Sequence, residues 1–394
     1  MKKIVHTFIS IIEKIFCFFI NSLGKRTIIL FESYPELGGS PWMIYQEMIK
    51  RGYKKKYKLI WAVGDDLVKP PCVNWCSFFG KTSLKSKIKA RIYLCSAKLI
   101  VENNRFLYKI NPRTFRLHAQ HGAPLKKCFS YTYLIGKPDA ILSLSESTME
   151  LEQLIFPSAK NNLYALGYPS NDLLFESVDL YKIGFWKCVT GGLKRYKKII
   201  GWLPTFRQHR FGSKRDSHLI FPFGVPLLKT LNDFEKLNAC LREKDVFLAI
   251  QMHHAQAKNF PVQKGFSNIV VIDPSIKKQF DVQNANLMHS FDALVTDYSG
   301  AYHEYLLLDR PIALSIDDYE EYSQSSGFSL DYFDWIKGVY LKNTSDLLKF
   351  IEDVSNGVDS AKKEREVSMH RFHKYIDNQS AKRVVDFLEK KVDL

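Results

Sequence analysis

The chain has 394 residues, 46% hydrophobic and 14% aromatic, which suits two ordinary domains with substantial cores and excludes a disordered polymer. A formal charge of +16 and a pI of about 9.3 ask for an anionic partner: nucleic acid, an anionic membrane surface or a polyphosphate substrate. Seven scattered cysteines without a Cys-x-x-Cys pair argue against a zinc site and read as reduced thiols.

Residues 1–24 form a segment of their own. Between residues 3 and 23, Lys3, His6, Thr7, Ser10, Glu13, Lys14, Cys17 and Asn21 fall on one helical stripe. Ile4, Phe8, Ile11, Ile12, Ile15, Phe18, Phe19 and Leu23 fill the opposite side, so the segment predicts an amphipathic helix. Glu13 and Lys14 argue against a spanning helix, and the interrupted apolar run against a secretory signal. A helix in the membrane interface and a helix docked on the protein's own core both fit this pattern.

Further on, Thr27 to Phe31 reads as a first strand, followed by a Gly- and Pro-rich loop and a helix over Trp42 to Arg51. Tyr57 to Val63 is a second strand, Lys85 to Cys95 a helix, and Ala97 to Val101, Arg116 to Gln120 and Ala140 to Leu144 are strands. Phe175 to Tyr196 reads as a connection. A second series then places strands at Ile199 to Leu203, Val246 to Met252, Ile269 to Ile272, Ala293 to Thr296 and Ile312 to Leu314. A helix over Asp346 to Val354 and a charged helical tail from Ser360 to Lys391 close the chain. Strands alternating with helices predict βαβ units: two doubly wound, Rossmann-like α/β domains, 25–190 and 191–394 with the tail, facing a cleft at the carboxyl ends of their sheets.

The residues able to do chemistry follow strands. In His118-Ala119-Gln120-His121-Gly122-Ala123-Pro124-Leu125-Lys126-Lys127, Gly122 lets the backbone turn or approach a ligand, and His121 beside two lysines suits a general base acting near an anion. His118 reads as structural. Gly201 to Arg207 sets an arginine beyond a strand for bidentate phosphate contact, and Gln251-Met252-His253-His254 ends another strand. Leu294 to Tyr305 passes from strand through a polar turn into a helix, with Thr296 and Ser299 as hydroxyl donors beside a positive helix end; taken alone, such a turn is more often an ordinary N-cap. Gly167 to Asp172 is a turn cluster that reads as architecture more than chemistry. No P-loop, nucleophile elbow, zinc finger or metal-ligand spacing appears, so neither a metal nor a cofactor is expected.

Together these stretches resemble the CDP-glycerol glycerophosphotransferase family, which builds teichoic-acid and related capsule polymers. The family motifs His-Gly-Thr-Pro-Leu-Lys-Lys, Gly-Tyr-Pro-Arg-Asn-Asp, Pro-Thr-Phe/Tyr-Arg, Lys-x-His-Pro and Thr-Asp-Tyr-Ser-Ser appear here as His121 to Lys127, Gly167 to Asp172, Pro204 to Arg207, Gln251 to His254 and Thr296 to Gly300. Phe31-Glu32-Ser33, Asp309-Arg310-Pro311 and Gly327-Phe328 match as well, in the same order, from Thr27 to Tyr332. Ala123, Ser170, Gln251, His254 and Gly300 depart from the motifs, leaving fewer charges and donors around the phosphates and CDP-ribitol open beside CDP-glycerol as donor.

The resemblance implies a GT-B-like fold, with the donor on the carboxyl-terminal half, the acceptor on the amino-terminal half, and a peripheral enzyme on the cytoplasmic face of the cell membrane extending a lipid-linked polymer. In that reading an acceptor hydroxyl attacks the β-phosphorus and CMP leaves. His121, His253 and Asp297 are the catalytic candidates, His121 as base and Asp297 as an orienting group. Thr205, Arg207, Thr296, Ser299 and Gly300 hold the donor phosphates, while Gly122, Lys126, Lys127, Asn171 and Asp172 line the acceptor side or the cleft. A GT-B glycosyltransferase and a non-catalytic nucleic-acid binder are the alternatives. Basic residues interspersed with acids and motif residues at strand ends disfavour nucleic acid as a partner, and the sequence leaves the oligomeric state open.

Overall fold

The computed structural model describes residues 2–34, 36–64, 73–79, 83–104, 107, 109–120, 122–123, 125–126, 137–192, 194–205, 221, 223–252 and 265–394, with the backbone alone for 2–9, 155, 158 and 159. The chain divides into two compact units, one of residues 1–123, 129–172 and 377–394, the other of 124–128 and 173–376.

In the first unit, apolar runs too short and too continuous for an amphipathic helix become parallel strands buried on both faces. They are β1 (Ile28–Phe31), β2 (Lys58–Val63), β3 (Trp75–Ser77), β4 (Ala97–Glu102), β5 (Phe115–His118), β6 (Ala140–Ser143) and β7 (Leu163–Ala165), in the order β3-β2-β1-β4-β5-β6-β7. On one face Ile29, Phe31, Trp61, Leu99 and Val101 pack with Ile44 and Met48 of the helix Gly39–Lys50. Val384, Val385 and Leu388 of the terminal helix Ser380–Val392 join the same cluster. On the other face Leu30, Ile60 and Ile100 meet Ala90, Tyr93 and Leu94 of the helix Leu84–Ser96.

The second unit repeats the plan with β8 (Lys198–Trp202), β9 (Val246–Ile250), β10 (Ile269–Val271), β11 (Ala293–Thr296), β12 (Ile312–Ser315) and β13 (Val339–Leu341), all parallel, in the order β10-β9-β8-β11-β12-β13. Its core joins Ile200, Trp202, Leu248, Ile250 and Val295 to Phe234 and Leu237 of the helix Leu231–Glu243, and to Phe350 and Ile351 of the helix Thr344–Ser355.

The structure differs from the sequence expectations in three ways. Strands β3, β7 and β13 are edge strands of three residues, too short to show a period. The charged tail is two helices, Lys362–Phe372 and Ser380–Val392, because His373 leaves the helical region and the second helix restarts on its own hydrogen bonds. The division between units falls after Asp172 rather than at residue 190, and the chain returns to the first unit at Asp377. Its last helix is held there by apolar packing, by Arg51 donating to Asp386 at 2.6 Å and by the Tyr53 hydroxyl donating to Glu389 at 2.7 Å.

The amino-terminal helix spans Lys2–Ser22. It docks through the stripe that the sequence marks as polar: Glu13 pairs with Arg91, Cys17 is buried beside Cys95, and Asn21 exchanges hydrogen bonds with Asn111 at 3.1 and 3.3 Å. Ile11, Ile12, Ile15, Phe18, Phe19 and Leu23 remain 50–67% exposed. No described helix is long and apolar enough to cross a membrane.

Candidate active site

The carboxyl ends of β9, β8 and β11 lie side by side, because β8 pairs with both neighbours in parallel. Backbone bonds carry the ladder past the strands: Gln251 N–H donates to the Trp202 carbonyl at 2.9 Å, and Leu203 N–H to the Val295 carbonyl at 2.9 Å. Just beyond, the Asp297 carboxylate accepts the Thr205 N–H at 2.9 and 3.0 Å and the Thr205 hydroxyl at 2.6 Å. Both residues are buried, so these bonds are shielded from competing water. Asp297 thus locks the end of β8 to the end of β11, an orienting role.

Thr296 leaves the set of phosphate donors. It is fully buried, and its hydroxyl donates to the Leu203 carbonyl at 2.8 Å. The Thr205 hydroxyl proton is likewise engaged by Asp297. Ser299 and Gly300, both partly exposed, form the open part of the turn. Ser299 Oγ accepts the Ala301 N–H at 3.3 Å, which leaves its own proton for another acceptor. Gly300 has φ −59°, a conformation open to any residue, so glycine there reflects no backbone demand.

Aromatic residues brace this turn from behind. Tyr298 stacks on Tyr322 with ring centres 4.1 Å apart and donates its hydroxyl to Asp318 at 2.9 Å, and Tyr332 donates to the Asp297 carbonyl at 3.2 Å. Burial and the Asp318 carboxylate push the Tyr298 hydroxyl well above its ordinary pKa, so it stays a neutral prop. Lys126 belongs to this unit. It forms a β-bridge with Phe328, Ser329 N–H donates to the Leu125 carbonyl at 3.2 Å, and the Lys126 ammonium sits 5.8 Å from the Tyr322 ring centre. The sequence expectation set Lys126 on the acceptor side or in the cleft; the backbone pairing with 328–329 ties it to the unit that holds the braced turn.

In the first unit the loop after β5 holds the other candidates. Among its described residues Gln120 is left-handed, at φ 50°, a strained choice for a side chain with a Cβ. Gly122 carries no positive φ, and a Cβ there would meet nothing within 4 Å among the described residues. His118 is fully buried, in line with a structural histidine. Tyr168 lies beneath this loop, its hydroxyl 3.1 Å from Glu152 Oε1 and 3.5 Å from the Gly122 carbonyl. Burial raises the Glu152 carboxyl to about 8, with Ser143 and Tyr168 opposing.

The 167–172 turn is built for architecture. Gly167 has φ 81°, and a Cβ would stand 2.8 Å from Ser380 Oγ. Asp172 accepts from Ser380 N–H at 3.0 Å and Ala381 N–H at 2.8 Å, capping the terminal helix, and burial lifts its carboxyl to about 6. Both its oxygens thus take part in holding that helix. Asn171 is buried, with no partner for its Nδ2 among the described residues. His121, Lys127, Arg207 and His253 lie outside the described residues. No group of three metal-ligating side chains occurs among the described residues.

Sequence reasoning missed Glu152 and Lys277. Glu152 sits in an ordinary amphipathic helix, Glu146–Ile155, and Lys277 in the short helix Pro274–Gln279, and neither adjoins a motif in sequence. Only the fold brings Glu152 to Tyr168 and Lys277 to Gln251.

Residues 15–390 match the family described as CDP-Glycerol:Poly(glycerophosphate) glycerophosphotransferase. The chain is 26% identical to the teichoic acid poly(glycerol phosphate) polymerase of Bacillus spizizenii over 90% of its length and 91% of that protein's. It is 22% identical to the teichoic acid glycerol-phosphate transferase of Staphylococcus aureus, with 93% of each covered. In structure it is similar to the wall teichoic acid polymerase TagF, at TM-score 0.70 and 21% identity over 94% of this chain and 90% of that one. It is also similar to the UDP-GlcNAc 2-epimerase of Methanocaldococcus jannaschii, at TM-score 0.52 and 14% identity over 92% and 99%. These two likenesses speak to the fold alone, two Rossmann-like units of the GT-B kind.

Proposed function

The chain belongs to the CDP-glycerol:poly(glycerophosphate) glycerophosphotransferase family, and from that premise we propose that it transfers glycerol phosphate from CDP-glycerol to a hydroxyl of a growing teichoic-acid or capsule polymer, releasing CMP. The observation that carries the reading is the Asp297–Thr205 lock. It fixes a polar turn with an uncommitted serine hydroxyl at the strand ends, where α/β sheets bind ligands.

In the proposed reaction the acceptor oxygen forms a bond to the β-phosphorus, the bond from that phosphorus to the bridging oxygen breaks, and CMP departs with the electron pair. His121 takes the acceptor proton. Ser299, Gly300, Arg207 and His253 offset charge on the transferring phosphoryl group, and Asp297 holds the turn in register without touching it. Lys126 joins this donor-side group, because it is braced with the same aromatic cluster. Lys127 and Asn171 remain with the acceptor.

We place the acceptor on a lipid at the cytoplasmic face of the cell membrane. The exposed apolar face of the helix Lys2–Ser22 and the charge of +16 support that location. Immersing those apolar side chains contributes several kcal/mol at about 25 cal/mol per Å², and each basic residue near anionic lipid adds about 1 kcal/mol.

The test is nucleotide release from the full chain with CDP-glycerol, CDP-ribitol and UDP-sugars, each with and without membrane acceptor. CMP release from CDP-glycerol, dependent on acceptor, is expected. Release from UDP-sugars alone refutes the reading.

A further inference from the structure

Lys277 stands at the carboxyl end of β9, on the same sheet edge as the Thr205–Asp297 lock. Its ammonium group donates to Gln251 Oε1 at 3.2 Å and to Asn284 Oδ1, and Gln251 Nε2 donates to the same Asn284 oxygen at 3.1 Å. Gln251 is itself fixed by its backbone bond to Trp202, and Asn284 opens the helix Asn284–His289. Three side chains from three elements thus converge on one point beside the end of β9.

The chemistry of this trio is incomplete as a structural contact. An ammonium group has three N–H donors, and here two meet neutral amide oxygens. Among the described residues no charged neighbour contributes, and burial pushes the lysine down to about 8. A cation set among neutral acceptors and only partly exposed lacks a counter-charge in this trio, whereas an anion on its third donor makes a charge-assisted bond. The position is also telling. Gln251 stands where the resembled motif Lys-x-His-Pro carries its lysine, so the chain lacks a cation there and has one 3.2 Å away, delivered from a different helix. Only β8 lies between β9 and β11, so at about 4.8 Å per strand the trio is roughly 10 Å across the sheet from the turn at Ser299, within reach of a ligand carrying a nucleotide diphosphate.

We propose that Lys277, oriented by Gln251 and Asn284, binds a phosphate oxygen of the donor's diphosphate and replaces the cation that position 251 lacks. The identity of the anion rests on the transfer reading above; the anion site itself does not. The alternative is that Lys277 merely ties two short helices to the sheet.

The two are separated by Lys277→Met in the full chain. A diphosphate ligand predicts a KM for CDP-glycerol raised about tenfold or more, the usual size of a lost charge-assisted bond, with kcat within threefold and an unchanged melting temperature. Adding Gln251→Lys to the Met variant is expected to bring KM back to within about threefold of wild type. A KM within twofold of wild type in Lys277→Met, or a raised KM that Gln251→Lys fails to restore, overturns the proposal. Wild-type protein that releases no nucleotide from any CDP-alcohol defeats the transfer reading instead. Calorimetric binding of CDP and of inorganic pyrophosphate then decides this one: weaker binding in Lys277→Met supports it, and equal binding overturns it.

Discussion

Replacing Asp297 by Asn changes a carboxylate for a group of the same shape with one acceptor oxygen and an NH2. In the native protein the two oxygens receive the Thr205 N–H in a bifurcated bond at 2.9 and 3.0 Å and the Thr205 hydroxyl at 2.6 Å. An asparagine oxygen in the place of Oδ1 still receives the Thr205 N–H and hydroxyl, but as a neutral acceptor, and its NH2 then faces the buried Thr205 N–H. A hydrogen bond to a charged group contributes about 1.5–3 kcal/mol and an unsatisfied buried donor costs about 1–3 kcal/mol. The variant is therefore expected to lose roughly 2–4 kcal/mol of stability in the second unit. Thr205→Val removes the hydroxyl and keeps the N–H, for about 1–2 kcal/mol. Because the charge-assisted hydroxyl bond is weakened in the first variant and removed in the second, the double variant is expected to fall short of the sum by about 1–2 kcal/mol. Denaturant unfolding of the four proteins measures the coupling, and CMP release from CDP-glycerol measures its consequence. With Ser299 and Gly300 no longer held in register, kcat/KM is expected to fall tenfold or more, as misplacement of phosphate-binding groups does. Additivity within about 0.5 kcal/mol, or Asp297→Asn with native stability, refutes the lock.

Three further outcomes follow from other parts of the structure. Glu152 has a folded-state pKa raised to about 8 from an ordinary 4.5, so its contribution is complete below pH 4.5 and is lost as pH rises toward 8. Glu152→Gln, which cannot ionise, should flatten that decline by a few kcal/mol at most, as read from unfolding at pH 5 and pH 8; an unchanged slope refutes the buried carboxyl as its source. A Cβ at Gly201 would stand 2.1 Å from the Phe291 ring, whereas one at Gly300 would stand 3.6 Å from His303 Nε2. Gly201→Ala should cost about 1–3 kcal/mol and Gly300→Ser almost nothing, in the same unfolding assay; equal costs refute the packing argument. Replacing Ile15, Phe18 and Phe19 by Asp should abolish sedimentation with anionic vesicles while leaving the fold intact, because none of the three is buried. Full sedimentation of that variant moves the membrane contact elsewhere, and misfolding assigns the face to the core.

Much of the fold is legible in the chain because its determinants are local. Runs such as Ile28 to Phe31 and Ala293 to Val295 are apolar throughout and give way to Glu-Ser or Thr-Asp, and that is enough to mark buried parallel strands with loops at their ends. The motif residues that resemble the family sit at those loops. Pairing at long range is what the chain leaves unwritten. That Asp297 meets Thr205 across 92 residues, that Asp172 caps a helix beginning at Ser380, and that Lys126 pairs with Phe328 depend on strand order and on which helix covers which face. The amino-terminal helix makes the point most plainly. Its two stripes are set by a period of 3.6 residues, but which stripe turns inward is decided by Arg91, Cys95 and Asn111, which wait with matching partners for the polar side and leave the apolar side outward.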